Sequence, residues 1–177
     1  MRALLIATAV LVAVPSFAGG MSPDPMLIDA FGKLGGKWKC KGKVSMVPGE
    51  EMKPAASTMK IAKELNGFVY TAEYVRKKTK KLQGVKAKWT WGYDPQRKMI
   101  IHTGYDTFSG LEEGKADPME GLVLTVNVDY STGATMVKQR LVMTMPDPKE
   151  KKKELKLVRE QETDDGWVRL SEEDCKK

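Results

Sequence analysis

From Gly36 to the end of the chain, apolar and polar residues alternate with a period of two. Successive side chains leave a strand on opposite faces, so this alternation marks strands buried on one side only. The stretch GGKWKCKGKV (35–44) is the clearest case: Lys37, Lys39, Lys41 and Lys43 share one face, and Trp38, Cys40, Gly42 and Val44 share the other. The pattern recurs in Ala55, Ser57, Met59 and Ile61, in Phe68, Tyr70, Ala72 and Tyr74, and in Val85, Ala87, Trp89, Trp91 and Tyr93. Turn chemistry separates the runs: Asn66-Gly67, Asp94-Pro95, Ser131-Thr132-Gly133, Pro146-Asp147-Pro148 and Asp164-Asp165-Gly166. Such a series predicts an all-β domain, a single antiparallel barrel of about eight to ten strands. One short helix precedes it. Met26, Leu27, Ala30, Phe31 and Leu34 recur at helical spacing, Pro25 suits the first turn, and Gly35-Gly36 ends it. Residues 109–121 break the alternation, with Glu112, Glu113, Asp117 and Glu120 among glycines and a proline, and read as a long loop or irregular edge.

The ends of the chain bear on where it works. Met1-Arg2 begins it with a positive charge, Ala3 to Val14 is apolar apart from Thr8, and Ser16-Phe17-Ala18 offers small residues for a signal peptidase. Residues 1–18 are therefore read as a signal peptide and 19–177 as the mature domain, exported to a periplasm or secreted. The apolar run is shorter than the roughly 20 residues needed to span a bilayer, and no later run qualifies, so the protein is expected not to be transmembrane. Two cysteines remain, Cys40 and Cys175. In an oxidising compartment they are expected to form a disulfide. That bond closes a loop of about 135 residues, for which the chain-entropy model gives roughly 5 kcal/mol as an upper figure. Cys40 lies near the start of the first strand and Cys175 beyond the end of the last. If those strands are antiparallel neighbours, the bond staples the closing seam of the barrel.

Gly36-Lys37-Trp38, at the entry to the first strand and after a short helix, resembles the Gly-x-Trp signature of lipocalin-like barrels. The resemblance implies that Trp38 packs across the bottom of the barrel under a late basic residue, Arg169 first and Arg159 second. The whole layout (an export signal, LGGKWKC at 34–40, WGYDP at 91–95 and a terminal cysteine) is similar to a bacterial family of exported domains of unknown function with a lipocalin- or nitrobindin-like barrel. Nitrobindin-like barrels hold haem through a histidine near the chain's end. Here the C-terminal strand has Trp167, Arg169 and Leu170 instead, and His102, the one histidine, lies in mid-chain. No cofactor is expected.

The residues offer little chemistry. One histidine and two bonded cysteines do not make a zinc site, and the acidic stretch 106–120 lacks the spacing of a calcium loop. His102 and Asp106 share a face but stand roughly 13 Å apart along an extended strand, too far to act as a pair. No nucleophile elbow or phosphate loop is present. The net charge of +7 is spread over many strands, which speaks for a solvated surface and against nucleic acid. The basic runs RKKTKK (76–81) and KEKKKELK (149–156) sit at expected turns, where an anionic envelope surface is a candidate partner.

The most informative feature is the aromatic row. Facing inward, Phe68, Tyr70, Trp89, Trp91 and Tyr93 would line a pocket for a small apolar or amphipathic ligand, with His102 beside them. The alternatives are a filled barrel that works through its basic surface, and an enzyme, an isomerase or hydrolase, using His102 or a loop carboxylate.

Overall fold

The computed structural model describes residues 22–177 except Ala134 and Lys152. The expected signal peptide lies outside the described residues. The elements run α1 (Pro25–Phe31), β1 (Gly36–Val44), β2 (Lys53–Glu64), a 3-10 turn (Leu65–Gly67), β3 (Val69–Arg76), β4 (Val85–Asp94), β5 (Met99–Asp106), β6 (Gly110–Ala116), β7 (Val123–Thr132), β8 (Thr135–Thr144), β9 (Glu154–Thr163) and β10 (Gly166–Lys176). Each strand is antiparallel to the next, and β1 pairs with β10, so the ten strands close into one barrel. No helix among the described residues is long and apolar enough to cross a membrane.

The alternation translates directly into facing. Trp38, Cys40 and Val44 of β1 are buried while its four lysines are exposed. The turn at Asn66-Gly67 holds Leu65, Asn66 and Gly67 at φ 46°, 58° and 100°, the left-handed region that Asn and Gly enter most easily.

β6 departs from the sequence expectation: residues 110–116 form a strand, not a loop. Its inward row is Gly110, Glu112, Gly114 and Ala116, with no large apolar side chain to signal a strand. The glycines are there for room. A Cβ on Gly110 would collide with the Tyr130 ring, and one on Gly114 with the Asn127 carbonyl.

At one end of the barrel α1 acts as a plug. Asp24 caps it by accepting a hydrogen bond from the Met26 amide at 2.9 Å. Seven residues make no stable helix alone, so burial of Leu27, Ala30 and Phe31 holds it in place. Phe31 stacks on Trp91 at 4.8 Å and on Tyr70 at 5.6 Å. Trp38 Nε1 donates to the Leu34 carbonyl at 2.7 Å, tying the chain after α1 to the barrel floor. The cation over the Trp38 ring is Lys177, with Nζ 5.0 Å from its centroid. Arg169 does not fill that place: it lies on the outer face, bonded to Glu172 at 2.6 Å. The reason is a bulge between Arg169 and Ser171. Leu170, within it, is buried, as are Glu173 and Cys175 after it; Arg169 would share their face by simple alternation, but the extra residue turns it outward.

Cys40 and Cys175 face each other in the β1–β10 register and are joined by a disulfide. Two residues along, Gly42 lies so close to β10 that a Cβ there would meet the backbone of Glu172 and Glu173. Cys40→Ser/Cys175→Ser is expected to remain a barrel but to lose about 2–5 kcal/mol in urea unfolding. An unchanged midpoint would mean that strand pairing alone secures the seam.

Candidate functional site: a charged cavity at the open end

Opposite α1 the barrel is hollow. The cavity measures about 200 Å³ and is lined from the ends of β1, β3 and β5, the start of β4 and the middle of β9 and β10, among others. Trp89 marks its inner limit. Its ring stands 5.4 Å from Tyr74, on the cavity side, and 6.3 Å from Trp91, on the filled side. Trp89 lies over Gly104, its partner on β5, where a Cβ would come within 2.5 Å of the indole.

Beside Trp89 sits a buried ionic cluster. Glu112, 1% exposed, faces inward from β6. Arg159 of β9 grips it with two hydrogen bonds, Nη1 to Oε1 at 2.8 Å and Nη2 to Oε2 at 3.1 Å. His102 Nε2 lies 2.9 Å from Oε2. A carboxylate only accepts, so Nε2 carries the proton of that bond. His102 Nδ1 is buried without a partner among the described residues. Arg159 also donates to Gln139 Oε1 at 3.2 Å, and its guanidinium lies 5.6 Å from the Trp89 centroid. Burial by itself raises the Glu112 pKa; the Arg159 charge and the bonds from His102 and Arg159 outweigh it and hold the carboxyl at about 2. Burial likewise opposes the charge on Arg159, and Glu112 more than restores it, so its pKa is raised.

Two other carboxylates line the cavity. Glu173 of β10, 3% exposed, accepts from Ser57 Oγ at 2.7 Å and from the Tyr74 hydroxyl at 2.8 Å. Burial, with the Glu173 charge adding to it, pushes the Tyr74 pKa up. Asp106, at the rim, accepts from the Phe108 amide at 2.8 Å, the Gly110 amide at 3.1 Å and the Tyr130 hydroxyl at 2.9 Å. Burial and Asp106 together raise Tyr130 to about 12. The second cation is Arg76, 7% exposed, at the end of β3. Its Nη2 donates to Met46 Sδ at 3.1 Å and to the Gln83 carbonyl at 3.4 Å, and its buried Nε has no partner among the described residues.

The residues named from the sequence separate along the barrel axis. Trp89 lines the cavity. Trp91 and Tyr70 belong to the filled half, stacked against Phe31. His102 faces inward beneath the cavity, its ring 5.5 Å from that of Trp91. Tyr93 is half-buried at the α1 end, where burial and then Asp24 raise its pKa. Phe68 is half-buried at the turn after the 3-10 segment. Arg76, Glu112 and Glu173 lie outside the residues that the sequence marks as a site. Parity was the available signal: Arg76 extends the inward row Tyr70, Ala72, Tyr74, but it opens the basic run 76–81 and reads there as solvated. Among the described residues no group of three or more His, Cys, Asp and Glu side chains is placed to hold a metal.

The Glu112 cluster has an acid signature. The folded pKa of about 2 lies below the ordinary 4.5, so the ionised carboxylate stabilises the fold above about pH 4.5, and that stabilisation is lost as pH falls toward about 2. Glu112→Gln leaves Arg159 uncompensated and is expected to cost about 3–5 kcal/mol near neutrality. It should also lose less stability than the wild type in urea titrations stepped down from neutral to acid pH. Parallel losses in the two proteins would show that Glu112 is not the group being titrated.

No curated protein matches the chain. The family described as "Protein of unknown function (DUF1579)" matches residues 29–174. The match runs from within α1 to all but the last two residues of β10 and takes in the entire cavity wall, and the chain belongs to that family.

Proposed function

We propose that the protein is an exported, non-catalytic binding protein that holds a small amphipathic molecule in the open half of its barrel. The observation that carries this reading is the uneven filling of the interior. Aromatic side chains and α1 pack one half, while the other keeps about 200 Å³ free between Trp89 and the rim. Drug-sized ligands occupy roughly 300–1,000 Å³, so the guest is smaller than these. Trp89, Leu141 and Leu157 give it an apolar wall, and Arg76, Glu173 and Gln139 give it polar ones. A filled barrel would need none of these buried charges, which are costly without a function or a partner.

The non-catalytic part rests on His102. Its ring is sealed against Trp91 and its Nε2 is engaged by Glu112, so it is poorly placed to take a proton from a guest. Export rests on the N-terminal signal pattern and on the Cys40–Cys175 bond, which suits an oxidising compartment.

Native mass spectrometry of protein purified from its own source, run beside the denatured sample, tests the reading. A small bound mass that disappears on denaturation and is absent from Trp89→Ala is expected. A bare protein mass that persists after incubation with cell extract would overturn it in favour of a barrel working through its surface. The denatured mass also reports whether the chain begins at Gly19 and whether the cysteines are joined.

A further inference from the structure

The buried charges of the cavity wall form two opposite pairs, and only one is closed. Arg159 and Glu112 neutralise each other in a two-bond contact. Arg76 and Glu173 do not: neither makes a salt bridge, to the other or to any described residue. Among the described residues, Glu173 is held by two neutral hydroxyls alone, and Arg76 by a thioether and a carbonyl. A buried cation with no counter-charge and an unpartnered Nε is costly, as is a buried carboxylate with no cation. Both line the same cavity. The Tyr74 hydroxyl and Ser57 Oγ fix the position of Glu173; Arg76 lies two residues beyond Tyr74 on the same face of β3 and opposite Ser57 in the β2–β3 register, so the two charges share one part of the cavity wall. Asp106 is the lesser pole: it is half-buried at the rim, where water reaches it, and two backbone amides and Tyr130 serve its oxygens.

Resting on the proposed binding role, we infer that the guest is a small zwitterion of the amino-acid type. Its carboxylate accepts hydrogen bonds from Arg76, its ammonium donates to Glu173, and its apolar body lies against Trp89. Such a guest carries no net charge, as the four buried groups together carry none, and it closes the open pair. Its ammonium and carboxylate are carried on one carbon, which suits two poles that share one part of the wall without touching. A singly charged guest would satisfy one pole and leave the other buried and bare.

Calorimetric titration of the mature protein with four probes tests this: L-phenylalanine, 3-phenylpropionate (no ammonium), phenethylamine (no carboxylate) and benzyl alcohol (neither). L-Phenylalanine is expected to bind about tenfold or more tightly than each singly charged probe, since each lost contact is a charge-assisted hydrogen bond. Arg76→Met should remove its advantage over phenethylamine, and Glu173→Gln its advantage over 3-phenylpropionate. Each comparison is made within one protein, so a general loss of stability cancels. If a variant does not fold, the wild-type series decides alone. L-Phenylalanine binding no tighter than a singly charged probe, or not at all, overturns the inference. If benzyl alcohol or a singly charged probe still binds, the binding role survives without the zwitterion. If none of the four binds and no native mass adduct is seen, both fall.

Discussion

The ladder between β1 and β10 turns a curved sheet into an enclosure. Six residues of each strand stand opposite one another across it, with Cys40 and Cys175 bonded in its interior-facing row. Without that ladder the first and last strands present open edges, and the inward rows of ten strands have no common interior. The close approach at Gly42 shows how tightly the two backbones are drawn together there. Everything the molecule encloses depends on this closure, because the strands that carry Glu173 and Ser57 are neighbours of the seam on either side of β1.

Enclosure by ten strands yields more room than side chains of ordinary size fill evenly. The chain resolves this by packing one half and charging the other. Phe31, Trp91 and Tyr70 form a continuous aromatic floor under α1. Above it, Trp89 faces a guanidinium, and three carboxylates take their hydrogen bonds from hydroxyls, amides, His102 and Arg159. The buried ions are poor devices for stability, since apolar replacements of similar volume often do as well.

The alternation made the strands legible because each large inward residue has small or polar neighbours on either side, as in Trp38 between Lys37 and Lys39. It failed in β6, where the inward row is glycine, glutamate, glycine and alanine, and where space matters more than apolar surface. The same rule hid most of the site. Arg76 and Glu112 sit at inward positions but carry charges that composition assigns to solvent. The aromatic row was visible, yet its division into floor and cavity wall depends on how far along the barrel axis each residue lies, and α1 and the strand register set that. Arg169 could not be placed from parity, because the bulge beside it reverses the facing of the strand.

That bulge makes the length of β10 part of the protein's information. At the bulge the even-numbered Leu170 is buried; downstream the odd-numbered Glu173 and Cys175 are. One residue added or removed between Leu170 and Glu173 would turn both Glu173 and Cys175 outward. The covalent latch of the barrel and one wall of its cavity therefore share a single register, and a length change there disables both at once. A substitution at Ser171 or Glu172 carries no such consequence, because it leaves the facing of the residues that follow unchanged.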